Sequence, residues 1–143
     1  MNATATAIII FIIITVYQNI CSKSRYNNIM EAAIIYLVYS PYYKSFKIGL
    51  TNLSNKRYAQ HRTKGWIIIK YWYFEDRKLA RCVEQRAIKL FKTRLPGTNL
   101  RKEDMPQDGY TETFDATKIS SKRVIKIINT IIKDMKECDY SQI

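Results

Sequence analysis

Apolar and polar positions follow one another in blocks along the chain, and most blocks predict one element of regular structure. A β-branched and aromatic run covers residues 34–40 and stops at Pro41, and a second run covers residues 45–50 after a turn-like tetrapeptide. These two runs predict an antiparallel hairpin. Residues 67–74 predict a third strand, and their nearly continuous apolar and aromatic character indicates a central place in the sheet.

Helical spacing of apolar residues explains the other ordered segments. A short helix is expected after the hairpin, ending near Arg62, and a longer one from Asp76 to about Arg94. Ser120 or Ser121 caps a last amphipathic helix, which we expect to close the core. The predicted fold class is therefore α+β: a small three-stranded antiparallel sheet flanked by helices, with a C-terminal amphipathic helix.

The N-terminal region differs from the rest of the chain. Residues 3–17 form an isoleucine-rich apolar run that is shorter than the roughly 20 residues of a membrane-spanning helix and lacks the basic start of a secretory signal. Three interpretations stay open: a tail outside the fold with Met30 as an alternative start, an extra buried strand or helix, and a marginal membrane anchor. Lys23 and Arg25 follow the run, so an anchor would leave the main domain in the cytoplasm. We assign residues 1–30 to this apolar tail or anchor and residues 31–143 to one folded domain.

The charge balance indicates a polyanionic partner. The 143 residues include 24 Lys and Arg against 12 Asp and Glu, a formal net charge of +12. Nucleic acid is the natural partner of such a chain, and an anionic membrane surface is the alternative. The three cysteines are odd in number and lack C-x-x-C spacing, which indicates a reducing compartment and no zinc site. We therefore expect a cytoplasmic protein.

Five side chains in and after the hairpin form a set suited to hydrolysing a phosphodiester beside one divalent metal ion. They are Tyr36, Lys47, Arg57, His61 and Glu84. Arg57 and His61 stand four positions apart, so they share one face of the first helix. Glu84 adjoins the apolar stripe of the second helix, which favours a side chain in a cleft over one paired with its basic neighbours.

Elementary chemistry assigns a task to each of these groups. A tyrosine has an ordinary pKa near 10, so Tyr36 needs a nearby cation or metal to act as a base; Lys47 on the paired strand could supply this charge or could grip phosphate instead. The planar guanidinium of Arg57 suits the charge of the transition state. One hard carboxylate such as Glu84 suits Mg²⁺. Glu112 is a further candidate, either as a second ligand or as a capping or solvated residue.

The ordered motifs resemble the GIY-YIG nuclease family. The matching positions are Ile34-Ile35-Tyr36 at the first tripeptide, Lys47-Ile48-Gly49 at the second, then Arg57, His61 and Val83-Glu84-Gln85. Ile34 stands at the first glycine of the family pattern and Lys47 at its second tyrosine. The chain looks closest to a divergent branch of small viral and phage domains whose second motif reads K-I-G, and residues 109–114 resemble the segment after the last catalytic helix in that branch.

This resemblance implies a metal-dependent endonuclease that cleaves DNA, with RNA kept open, and that uses Mg²⁺ or Mn²⁺ in a host-cell or viral context. Carried over by position, Tyr36 would be the general base or orient the attacking water, Arg57 would hold the scissile phosphate, and Glu84 would bind the metal. His61 would be an auxiliary proton or phosphate contact. Two alternatives stay open: a catalytically inactive, basic nucleic-acid-binding module and a membrane-anchored basic protein.

Overall fold

The computed structural model describes residues 31–54, 57–105 and 109–140. This part of the chain has an α+β fold with strands β1 (Ala33–Ser40), β2 (Ser45–Asn52), β3 (Ile67–Phe74) and β4 (Thr113–Asp115), and helices α1 (Arg57–Thr63), α2 (Arg77–Arg94) and α3 (Ser121–Tyr140). Short 3₁₀ helices at Lys102–Asp104 and Tyr110–Glu112 separate α2 from β4. The segment 1–30, interpreted above as a tail, a buried element or an anchor, lies outside the described residues.

The strands form one antiparallel sheet in the order β3-β1-β2-β4. The predicted hairpin is confirmed, because β1 and β2 pair along their whole lengths with Tyr36 opposite Gly49. The predicted count of three strands is wrong, because β4 adds a fourth by pairing with the start of β2. At three residues, β4 is too short to show the alternation by which a strand is recognised in a sequence.

β3 begins and ends where the sequence predicts but lies at the edge of the sheet, not at its centre. The prediction of a central strand is therefore wrong. Its physical reason is that β-branched and aromatic residues favour a strand whether or not both faces are covered. Tyr71 and Tyr73 of β3 are 65% and 59% exposed, whereas Phe74 is buried in the core.

The main core lies between one face of the sheet and the helices α2 and α3. It contains Ile35 and Ile48 from the strands, Val83 and Phe91 from α2, and Val124, Ile128 and Ile131 from α3. The C-terminal helix thus closes the core as predicted. None of the described helices is both long enough and apolar enough to cross a membrane.

Polar caps define where the two long helices begin. The Asp76 carboxylate accepts a hydrogen bond from the backbone N–H of Lys78 at 2.8 Å, just before α2. The Ser120 hydroxyl accepts one from the backbone N–H of Arg123 at 3.3 Å, just before α3. Each cap satisfies an N–H group that has no partner within its own helix, so the predicted starts of both helices are confirmed.

Candidate active site

The sheet face opposite the main core carries the candidate site. Side chains alternate between the faces of a strand, so Tyr36 of β1 and the paired positions Lys47 and Gly49 of β2 all lie on this face. The Tyr36 ring lies directly over Gly49 and is only 3% exposed. A Cβ atom on Gly49 would lie 2.2 Å from the Tyr36 hydroxyl oxygen. Glycine at this position therefore makes room for the tyrosine ring.

Tyr36 and His61 form a buried hydrogen-bonded pair. The Tyr36 hydroxyl oxygen lies 2.9 Å from His61 Nε2. Burial, reinforced by the negative charge of Glu112, raises the pKa of Tyr36 above its ordinary value, and the Arg57 charge acts in the opposite direction. Burial, followed by the positive charges of Lys47 and Arg57, lowers the pKa of His61 to about 4. At neutral pH the pair therefore consists of a protonated phenol and an uncharged imidazole.

Helix α1 holds Arg57 and His61 on one face beside Tyr36, as their spacing predicts. The exposed Arg57 is close enough for its charge to act on both Tyr36 and His61. After α1, Trp66 donates its backbone N–H to the His61 carbonyl at 3.1 Å, and the centre of its buried ring lies 6.4 Å from that of the imidazole. Trp66 therefore forms a wall of the site.

Lys47 is 2% exposed and is paired with Glu112. Its ammonium group also donates a hydrogen bond to the Gly109 carbonyl at 3.2 Å. Gly109 has a φ of +97°, a conformation that favours glycine, and the end of the Lys47 side chain lies in the space that a Cβ atom would take there. The Lys47 charge is paired with Glu112, and the two roles considered for it, drawing Tyr36 towards phenolate or gripping phosphate, stay predictions.

Glu84 adds a half-buried carboxylate from α2. Within the described part of the chain this carboxylate takes part in no ion pair. Burial, reinforced by the negative charge of Glu112, raises the pKa of Glu84 to about 7, while Lys47, Arg81 and Arg77 act in the opposite direction. A cation bound next to this carboxylate would stabilise its charged form.

These donors fit a magnesium or manganese ion that keeps most of its water ligands. Mg²⁺ typically takes one or two protein carboxylates and completes its shell with water and substrate phosphate. Glu84 would hold such an ion, and Glu112 is the second carboxylate near it. Across residues 31–54, 57–105 and 109–140, no three His, Cys, Asp or Glu side chains form a ready-made metal cage.

The five residues selected from the sequence lie near one another in the folded chain. Tyr36 contacts His61, and the charges of Arg57 and Glu84 both act on Tyr36. The charge of Lys47 acts on His61 and on Glu84. The direct contact among the five is that of Tyr36 with His61, and their sharing of one catalytic pocket stays a prediction, as does the role of each residue.

Sequence reasoning missed two contacts that shape this site. It left Glu112 as a ligand or a capping residue and did not pair it with Lys47, and it gave the Gly109 carbonyl no part. The available signal was a lysine between Phe46 and Ile48 in a predicted strand, since a lysine in an apolar strand needs an acceptor when it is buried.

No known protein family, curated protein or solved structure matches this chain significantly. The likeness to GIY-YIG nucleases therefore stays a prediction that depends on the order of the motifs.

Proposed function

We propose that the protein is a divalent-metal-dependent endonuclease that hydrolyses phosphodiester bonds of DNA. The observation that carries the proposal is the convergence of the Tyr36–His61 pair, the Arg57 guanidinium and the half-buried Glu84 carboxylate on a protein of net charge +12. These groups come from β1, α1 and α2, so only the folded chain brings them together. A perturbed carboxylate and a buried phenol–imidazole pair beside a free cationic side chain are typical of catalytic sites.

The protonated state of Tyr36 argues against a phenolate base, and we propose a proton relay in its place. The Tyr36 oxygen accepts a proton from the attacking water while its own proton moves to Nε2 of the neutral His61. Phenolate is then never needed in the resting enzyme, which accords with the raised pKa of Tyr36. The relay requires that His61 carry its hydrogen on Nδ1 when the reaction starts.

Phosphate binding and charge neutralisation fall to two other groups. Arg57 is exposed, always charged and able to donate two parallel hydrogen bonds, so it suits the scissile phosphate and its growing negative charge. Glu84, with Glu112 near it, would hold the divalent cation. When bound, that cation supplies polarisation of the phosphate and stabilisation of the leaving oxygen.

A catalytically inactive nucleic-acid-binding module is the second candidate, and the Lys47–Glu112 pair favours it. Lys47 stands where the family pattern has its second tyrosine, and its ammonium group is used inside the protein. In this alternative the sheet and the basic surface bind a nucleic acid that is not cut.

Cleavage and binding assays on the full chain separate the two candidates. We expect the wild type to nick plasmid DNA with Mg²⁺ or Mn²⁺ and not with EDTA, and Glu84→Gln and Arg57→Ala each to abolish nicking while the circular dichroism spectrum is kept. The matched controls are Glu137→Gln and Arg123→Ala, which remove the same charges from exposed positions on α3 and should stay active. DNA binding by the wild type without nicking in either metal would establish the inactive module and overturn the endonuclease.

A further inference from the structure

Two exposed tyrosines lie on the same sheet face as the candidate site. Tyr71 and Tyr73 of β3 are opposite Tyr36 and Ile34 of β1, and opposed residues of an antiparallel pair share a face. Both rings are more than half exposed, whereas the Tyr36 ring is buried. A large exposed aromatic surface next to a catalytic group is uncommon without a partner that covers it.

An irregularity in the strand pairing determines this placement. The register between β1 and β3 shifts between Leu37 and Val38, so that Val38 opposes Ile68 but Leu37 opposes Lys70. Ile69 is the extra residue, and beyond it the alternation along β3 is inverted. Tyr71 and Tyr73 consequently lie on the site face, while Trp72 lies on the opposite face and donates a hydrogen bond to Asn129 of α3 at 2.8 Å.

Cationic side chains lie on the helix that packs beside β3. Helix α1 packs beside β3 and carries the exposed Arg57 and Arg62, and exposed Lys64 follows in the next turn. The Arg57 charge already reaches Tyr36, the cross-strand neighbour of Tyr71. Cations flanking exposed aromatic rings are the combination by which proteins bind unpaired nucleic-acid strands.

The spacing of the rings also suits an extended strand. Alternate residues on a β-strand are about 6.8 Å apart, twice the roughly 3.4 Å rise per nucleotide of a B-form strand. A strand stretched to twice its B-form rise can therefore place one base on Tyr71 and the next on Tyr73. The backbones of Tyr71 and Tyr36 lie about one strand spacing, near 4.8 Å, apart.

We infer that Tyr71 and Tyr73 stack the bases of an unpaired nucleic-acid strand next to the scissile phosphate, so that the substrate is single-stranded or locally unpaired. This inference rests on the proposed function for the location of the scissile phosphate, but the binding itself does not depend on cleavage. The cations of the neighbouring helix and the continuity with Tyr36 favour a nucleic-acid strand over a second copy of the chain as the occupant of this face.

Binding measurements on the full chain in EDTA test the inference without requiring catalysis. Fluorescence anisotropy would compare labelled oligothymidine and oligouridine with a duplex of the same length. We expect the wild type to prefer the single strands and the double variant Tyr71→Thr/Tyr73→Thr to lose at least about tenfold in affinity for them, with little change for the duplex. Threonine keeps the preference for β-structure, so loss of the strand is not the cause.

The matched control is Tyr71→Phe/Tyr73→Phe, which keeps both rings and should keep the affinity for single strands. Unchanged single-strand affinity in the threonine variant, or an equal loss in the phenylalanine variant, would overturn the stacking surface. A wild-type dimer that the threonine variant dissociates in sedimentation velocity would make this face a contact between copies and would also overturn it. Tyrosine-dependent binding without cleavage would refute the endonuclease alone, whereas cleavage that does not depend on these tyrosines would refute this inference alone.

Discussion

Replacement of Gly49 by alanine should displace the tyrosine at the centre of the candidate site. The new Cβ would lie 2.2 Å from both Cζ and the hydroxyl oxygen of Tyr36, whereas ordinary contacts begin near 3.4 Å. The ring must therefore move by about 1 Å, and because it is buried against His61 and the sheet, no open space receives it.

The expected cost follows from two effects. Overpacking of this kind costs about 1–3 kcal/mol, and loss of the Tyr36–His61 hydrogen bond adds about 1 kcal/mol. Alanine has fewer conformations than glycine in the unfolded chain, and this difference offsets about 0.5–1 kcal/mol of the loss of stability. We expect Gly49→Ala to lower the free energy of unfolding by about 2 kcal/mol. Cleavage, which depends on the place of the phenol, should fall by about 100-fold.

A double-mutant cycle isolates the steric term. Urea unfolding followed by circular dichroism would compare the wild type, Gly49→Ala, Tyr36→Val and the double variant. Valine lacks the ring atoms that the new methyl group would meet, so in that background Gly49→Ala should stabilise the fold by about 0.5–1 kcal/mol, with a coupling of about 3 kcal/mol. An equal loss of stability in both backgrounds would refute the close approach of Tyr36 to Gly49.

Further predictions concern charge. The pKa of Glu84 is raised from near 4.5 to about 7 on folding, so the folded protein prefers the protonated carboxyl and loses stability as the pH rises through this range. In urea melts, the free energy of unfolding of Glu84→Gln should therefore increase relative to that of the wild type between pH 4 and 8. A difference that does not change with pH would contradict this. Glu112→Ala should lower the free energy of unfolding by about 3 kcal/mol, because it leaves the buried Lys47 ammonium group without its carboxylate partner. Lys47→Met should lower it by about 1 kcal/mol, because Glu112 is 34% exposed and stays in contact with water. Equal losses in thermal melts would count against the pair. If about five cations contact duplex phosphates, the logarithm of affinity should fall with log salt at a slope of roughly −4 to −5, and a flat titration would exclude backbone binding.

Local sequence patterns were sufficient to predict the elements that depend on interactions between residues close together in the chain. The hairpin of β1 and β2 follows from two β-branched runs around Pro41, and α2 and α3 follow from helical spacing behind Asp76 and Ser120. The place of β3 in the sheet depends on which strand pairs with which, and β4 has only three residues. Neither property can be deduced from the local composition of a strand. The position of β3 was therefore predicted wrongly, and β4 was missed.

The same division applies to the candidate site. The side chains themselves could be selected, because Arg57 and His61 share a helix face by spacing alone and Tyr36 alternates onto the face of Lys47. The protonation states of Tyr36 and His61 could not be predicted from the sequence, because they depend on burial and on nearby charges such as that of Glu112 on Tyr36, which only the folded chain reveals. The pairing of Lys47 with Glu112 could not be predicted for the same reason.

The buried ammonium group of Lys47 also affects when the site is assembled. It connects β2 to residues that follow 62 and 65 positions later in the chain. Contacts across such separations close long loops and form late in folding. We therefore expect Glu112 to reach the site late in folding and to leave it when the segment around it opens locally. For the proposed endonuclease, a nascent chain would display its cationic surface before it could hydrolyse anything, so hydrolytic competence would be withheld until the whole domain had folded.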